Sequence, residues 1–254
     1  MTITRLIAPA KLTLSLRVTG LRDDGYHLID AEMVSVDLCD ELLLSEGSGL
    51  IIRPVGSGLE IPLDENNLLS GALELVGRDS HVTVEKRIPA GAGLGGGSAN
   101  AAAILRWAKF DDPVAAAGLG ADVAFCLVGG RARVRGIGEI IDPLPHVDQE
   151  VTLLIPPFGV STAEVYDAWD KLNGPIGPYG NDLEDAAIKV EPELGEWRDA
   201  LSDATGTRAR LAGSGSTWFV EGRHETFAYQ GVASQTVHTT GPAPTGATAK
   251  ESVR

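Results

Sequence analysis

Short apolar or alternating stretches dominate the first third of the chain. Leu12 to Val18, Met33 to Leu38, Leu42 to Ser45, Leu50 to Pro54 and His81 to Glu85 read as strands separated by turn-forming residues. Asp24-Gly25 is a natural hairpin turn, and it presents Tyr26 and His27 at the start of the strand that follows. The period then lengthens. Leu69, Ala72, Leu73 and Val76, after Asn66-Asn67, make one helical stripe, and Ala101, Ile104, Leu105 and Ala108 make another, with Ser98 near its start. Gly129-Gly130 precede a strand-like Ala132 to Val134. A new unit begins near His146, where Val151 to Ile155 reads as a strand and Ala163 to Leu172 as a helix behind the cap candidates Ser161 and Thr162. Thr, Gly, Pro and Ala crowd the segment from Val237 to Lys250, which reads as a loose tail. The pattern contains no internal repeat and predicts an α+β protein. Its strand-rich N-terminal unit covers residues 1–146, and a smaller α+β unit covers 147–254.

Composition narrows the class. With 254 residues, 43% of them hydrophobic and 22% charged, the chain can bury a sizeable core. It holds no run of about 18 apolar residues, and the opening MTITRLIAPAK is too short in its apolar part for a signal peptide, so a cytoplasmic protein without membrane contact is expected. Cys39 and Cys126 form no metal-ligand spacing, five scattered histidines offer no zinc pattern, and both cysteines read as small buried residues. A net charge of −14 without a Lys/Arg cluster argues against nucleic acid as a partner. An anionic small molecule would have to be held by local donors, for which Lys11, Lys86, Arg87 and magnesium are candidates, because salt confines the field of the acidic surface to roughly 8–10 Å.

The densest chemical signal is PAGAGLGGGSANAA, Pro89 to Ala102, where Gly95, Gly96 and Gly97 stand immediately before the alanine-rich helix. Side chains are nearly absent there, so a ligand can approach the backbone, and the amides that open the helix favour an anion. A helix interior loses about 1 kcal/mol per glycine, so a purely structural role would require all three to sit in turns. A Walker loop would need GxxxxGK[ST], which does not occur. The dinucleotide fingerprint GxGxxG does match at Gly91, Gly93 and Gly96, but Pro89 interrupts the strand that should run into it and Asp111 and Asp112 come too early for the ribose.

The same stretch resembles the phosphate-binding motif of the GHMP kinases, and other segments fall into that family's order: Ala8-Pro9-Ala10-Lys11-Leu12, RDDGYH at Arg22 to His27, LGADVAF at Leu119 to Phe125, GIGEI at Gly136 to Ile140 and RLAGSGSTWFV at Arg210 to Val220. The DGYH and LGADV elements are most similar to those of the kinases acting on 4-diphosphocytidyl-2-C-methyl-D-erythritol in non-mevalonate isoprenoid synthesis. The resemblance implies a two-domain GHMP kinase fold and transfer of the ATP γ-phosphoryl to an alcohol. It makes Asp122 the base or orienting acceptor and Lys11 the cation that meets developing charge. ATP would lie along Pro89-Ala90-Gly91-Ala92-Gly93-Leu94-Gly95-Gly96-Gly97-Ser98-Ala99, with Ser98 toward Mg2+ and Asn67 and Lys86 near the adenine or ribose. Cytosine would sit between Tyr26 and Tyr166, read by His27, with Thr162 and Thr13 as further substrate contacts. Thr13 stands where the family commonly has Asn, Ala124 where it has Pro, and the segment from Ala103 to Leu119 is shorter than the family's. Another alcohol such as homoserine or mevalonate, or a non-catalytic ATP-binding relative, remains an alternative; a monomer or weak homodimer is expected.

Overall fold

The computed structural model describes residues 2–55, 68–242 and 249–252. Two long strands, β1 (Thr2–Leu21) and β2 (His27–Ser45), pair antiparallel from Thr4↔Leu44 to Leu21↔His27 around the expected Asp24-Gly25 turn. There Gly25 adopts φ 88°, and the Arg22 amide donates to the Tyr26 carbonyl at 2.8 Å. The runs at Met33 to Leu38 and Leu42 to Ser45 are parts of one strand, because Cys39-Asp40-Glu41 between them holds no Gly or Pro to break the ladder.

The remaining strands are β3 (Gly49–Pro54), β4 (His81–Lys86), β5 (Arg131–Gly136), β6 (Ile140–Leu144), β7 (Glu150–Leu154), β8 (Arg210–Leu211), β9 (Trp218–Glu221), β10 (Ala228–Tyr229), β11 (Val232–Ala233), β12 (Gln235–Thr240) and β13 (Ala249–Ser252). The helices are α1 (Leu68–Leu75), α2 (Gly96–Trp107), α3 (Pro113–Ala117), α4 (Ala121–Val128), α5 (Thr162–Lys171), α6 (Glu184–Val190) and α7 (Leu194–Thr205). The length of β2 lets it serve β5, β12 and β4 in succession, so the sheet runs β13-β1-β2-β12-β7-β9-β8 with β3, β4, β5 and β6 joined to its flank. The register of β1 shifts between Pro9 and Lys11 and again between Thr13 and Ser15. Such irregularities bend a strand and re-aim its side chains, here at two positions of chemical interest.

The expected helical stripe after Ser98 is wider than a stripe. Ala99, Ala101, Ala102, Ala103, Ile104 and Leu105 are all buried, because α2 lies between β1, α1 and α4 and its small side chains let these elements approach closely. Helix α5 begins where expected, with the Ser161 hydroxyl accepting from the Glu164 amide at 3.4 Å. The second half of the core gathers Trp197, Trp218 and Phe219, all fully buried.

Two expectations are corrected. Val237 to Lys250 is no loose tail at its start: Gln235–Thr240 forms β12 between β2 and β7, with Val237 buried, and β13 returns to β1. The β-forming Thr and Val residues of QTVHTT outweigh the Gly and Pro that follow them. Of the two cysteines, Cys126 is buried but Cys39 only partly so.

Candidate active site

Lys11 sits in the middle of β1, between the glycine loop at Leu94-Gly95 and the segment at Gly213, and the strand is buried from Ala10 to Thr13. Its ammonium reaches the Asp122 carboxylate at 3.2 Å and donates to the Thr13 hydroxyl at 3.2 Å. Asp122 lies in the first turn of α4, where a carboxylate suits the positive end of the helix dipole. The Lys11 side chain is 7% exposed and that of Asp122 31%, so the pair opens to a cavity on the carboxylate side. That cavity, of about 600 Å³, is lined by Lys11, Thr13, Ser98, Asp122, Tyr26, His27, Thr162, Tyr166 and Ser214, among others.

The glycine loop forms the roof over Lys11. The Lys11 amide donates to the Leu94 carbonyl at 3.0 Å, and a Cβ on Gly95, which adopts φ 66°, would stand 2.7 Å from Lys11 Cγ. A Cβ on Gly93 would collide with the Gly215 carbonyl. These contacts join the loop to the C-terminal glycine-rich segment, as does Thr217, whose hydroxyl donates to the Ala92 carbonyl at 2.7 Å. Gly96 and Gly97 are not in a turn, as a purely structural reading requires, but open α2, ahead of its first internal bond from the Ala99 amide to the Gly95 carbonyl at 2.8 Å. Their amides belong to the group that a helix leaves without internal partners. A second cavity, of about 300 Å³, runs along Pro89 to Ser98 and meets the larger one at Gly93 and Ser98.

Lys86 lines the smaller cavity, yet its ammonium is paired with Asp40 and lies directly under Gly96. Burial pulls the Lys86 ammonium below its ordinary range, against the opposing pull of Asp40. Asp40 itself is fully buried and also accepts from the Arg87 and Ile88 amides at 2.7 and 2.8 Å. Asn67 lies outside the described residues.

At the far end of the larger cavity, the ring that meets Tyr166 is His27 rather than Tyr26. The His27 and Tyr166 rings stack with centroids 4.7 Å apart and a 24° angle, and Trp169 meets His27 edge-on at 5.7 Å. Tyr26 stands on the rim, 61% exposed. Tyr26 belongs to the turn before β2, whereas His27 is the first residue of the strand and pairs with Leu21. Burial, and to a smaller extent the charge of Asp122, raise the Tyr166 phenol above its ordinary range. Thr162 at the start of α5 is linked to Ser214 through their hydroxyls at 2.8 Å.

Several participants escape sequence reasoning. Asp40 is one, although a carboxylate in the apolar run SVDLCDELLL is a visible signal. Asn181 is another: its amide nitrogen donates to the Leu211 and Gly213 carbonyls at 2.9 and 2.7 Å, fixing the segment that faces Lys11. Asn100, in the SANAA turn of α2, lines the smaller cavity with a buried side-chain oxygen that has no partner among the described residues. Asp170, which approaches His27, gives no local signal at all.

Known proteins match this arrangement along most of the chain. The GHMP kinases N terminal domain profile matches residues 67–130. A 4-diphosphocytidyl-2-C-methyl-D-erythritol kinase of Paracoccus denitrificans is 40% identical over 236 residues, 85% of each chain. A crystal structure of 4-(cytidine 5'-diphospho)-2C-methyl-D-erythritol kinase superposes with a TM-score of 0.71 at 31% identity, covering 93% of this chain and 99% of that one. A homoserine kinase from Cytophaga hutchinsonii, 20% identical with a TM-score of 0.58 over 95% of both chains, shares the fold alone. Identity at this level, sustained across both halves of an α+β GHMP kinase fold, shows that the chain belongs to the 4-diphosphocytidyl-2-C-methyl-D-erythritol kinase family.

Proposed function

We propose that the protein transfers the γ-phosphoryl group of ATP to the 2-hydroxyl of 4-diphosphocytidyl-2-C-methyl-D-erythritol. The observation that carries this reading is the 3.2 Å pair of Lys11 and Asp122, set beside Ser98 where a glycine-loop cavity meets a cavity ending in stacked aromatic rings. Phosphoryl transfer asks a protein mainly for positioning and charge neutralisation. The loop from Pro89 to Ala99 takes the phosphates, its backbone amides and the ammonium of Lys11 donating to their oxygens. The Asp122 carboxylate accepts a hydrogen bond from the substrate hydroxyl. As that oxygen bonds to the γ-phosphorus, the proton passes to Asp122, the bond from phosphorus to the β–γ bridging oxygen breaks, and ADP leaves.

Magnesium fits the oxygen donors at this junction. Among the described residues no group of three His, Cys, Asp or Glu side chains could hold a metal alone, but the Ser98 hydroxyl lines the cavity where the phosphates would lie. Mg2+ is commonly held by one or two protein oxygens together with substrate phosphates. Ser98 would hold it here together with the substrate phosphates, and it would supply charge neutralisation to the triphosphate.

Asn67 serves the nucleoside end of ATP, Lys86 supports the phosphate loop from beneath through its pair with Asp40, and Tyr26, His27, Tyr166, Thr162 and Thr13 serve the cytidylated substrate. Residues 1–146 and 147–254 serve the reaction together: the cavity draws Lys11 and Asp122 from the first and Thr162, Tyr166 and Ser214 from the second, while β12 and β13 of the second pair with β2 and β1 of the first. A reaction between ATP and a free anionic intermediate suits a cytoplasmic protein working as a monomer or weak homodimer. No helix among the described residues is long and apolar enough to cross a membrane.

ADP release with Mg-ATP tests this, comparing the cytidylated alcohol with methylerythritol phosphate, homoserine and no acceptor. Turnover confined to the cytidylated alcohol is the expected result. Turnover with homoserine alone would reassign the substrate, and ATP binding without turnover on any acceptor would mark a non-catalytic relative.

A further inference from the structure

One carboxylate near the cavity has no part in phosphoryl transfer. Asp170 lies one turn after Tyr166 on α5, and its Oδ1 is 3.0 Å from His27 Nε2. Tyr166, Trp169 and Asp170 occupy positions i, i+3 and i+4 of the helix and therefore share a face. All three meet the same imidazole: Tyr166 stacks on it, Trp169 abuts its edge, and Asp170 takes one nitrogen. The ring is left only 11% exposed at the end of a cavity that it lines. Three contacts from one rigid helix fix its plane as well as its hydrogen-bonding pattern.

We propose that Asp170 is a positioning residue that holds His27 as its Nε2–H tautomer and so makes the site select cytosine over uracil. An ionised carboxylate only accepts, so the Nε2 facing it must carry the hydrogen, and in a neutral ring Nδ1 is then an acceptor. Cytosine offers an amino donor at the position where uracil, like thymine, offers a carbonyl acceptor. An Nδ1 acceptor pairs with the first and opposes the second. A site built to hydrogen-bond one partner rejects the analogue that leaves its polar atom unpaired far better than an apolar pocket does.

This inference rests on the assignment of the cavity to a cytidylated alcohol, and the test separates the two. Wild-type protein, Asp170→Asn and Asp170→Ala are assayed with Mg-ATP and either the cytidylated or the uridylated methylerythritol substrate. Wild-type turnover of the cytidylated compound supports the assignment independently of any variant. Loss of a hydrogen bond to a charged group predicts a rise of about tenfold in the KM for the cytidylated substrate in both variants, with the KM for ATP within about twofold of wild type. Asp170→Asn carries a further signature. Its amide NH2 can donate to Nε2 and drive the ring hydrogen to Nδ1, so the preference for cytidine over uridine should fall further than in Asp170→Ala. Nitrogen-15 NMR of His27 supplies a readout without turnover, with Nε2 protonated in wild type and the hydrogen moved toward Nδ1 in Asp170→Asn. An unchanged cytidine-to-uridine ratio in both variants, with wild-type circular dichroism, would overturn the proposal, as would a wild-type ring protonated at Nδ1 alone.

Discussion

Asp40 and Lys86 form an ion pair beneath Gly96, with Asp40 fully buried and the ammonium occupying the space that a Gly96 side chain would need. The first turn of α2 therefore rests on a charge, and the glycine there is required from below. Asp40 also holds the Arg87 and Ile88 amides, so the pair ties β2 to the chain that enters the glycine loop.

Removing one member of a buried pair strands the other, at a cost of about 3–5 kcal/mol. Asp40→Ala is expected to lower the free energy of unfolding by that amount, since it also abandons two amides. Lys86→Met is expected to cost less, because the carboxylate keeps those two donors. Urea denaturation checks the order, and a smaller loss for Asp40→Ala than for Lys86→Met would refute this account of the loop's support.

Gly95 and Gly97 separate folding from ligand approach. A Cβ at Gly95 would meet the Lys11 stem at 2.7 Å in a left-handed backbone, whereas at Gly97 the nearest atom, in Leu68, is 3.7 Å away and the backbone is helical. Gly95→Ala should lower both stability and kcat by displacing Lys11. Gly97→Ala should leave the melting temperature unchanged or raised, since alanine is favoured over glycine in a helix by about 1 kcal/mol, while the KM for ATP rises. A normal KM for ATP in Gly97→Ala would mean that the phosphates do not approach this part of the backbone.

Asp122 and Lys11 are expected to matter for the chemical step more than for ATP binding. Loss of a positioned proton acceptor typically costs 10²- to 10⁴-fold, so Asp122→Asn should lower kcat within that range, with ATP affinity measured by calorimetry close to wild type. Because the two groups are in contact, the double variant with Lys11→Met should lose less than the product of the single losses. Fully multiplicative losses would show that the residues act independently.

How much of this was legible depended on sequence distance. The glycine loop, the Asp24-Gly25 turn and the start of α5 are written in residues a few positions apart, and local chemistry sufficed to find them. The choice between Tyr26 and His27 as the ring on Tyr166 was not local, because it follows from the Leu21↔His27 register and the packing of α5 against the hairpin tip. Asp40 and Asp170 find their partners 46 and 143 positions away, and nothing beside either residue names the partner. β12 was hidden by Gly241-Pro242, whose turn character belongs to the end of the strand rather than to a tail.

Cys126 provides a pH-dependent check on the burial of α4, one turn from Asp122. Burial, with a smaller contribution from the charge of Asp122, pushes its thiol up to about 12 from an ordinary 9.0. The folded value exceeds the unfolded one, so between these limits the folded protein keeps a proton that the unfolded chain has released. The contribution of this group to stability is therefore complete below pH 9 and lost as pH rises toward 12, by about 1.4 kcal/mol per pH unit. Cys126→Ala removes this slope at the cost of a small cavity, about 1 kcal/mol at neutral pH. Other titrating groups are common to both proteins and cancel in the comparison. The stability advantage of wild type over Cys126→Ala, from urea denaturation at pH 7.5, 9 and 10.5, should shrink above pH 9 and reverse at the highest value. An advantage that stays constant across the series would mean that the thiol reaches solvent and that α4 opens far more readily than its packing against α2 implies.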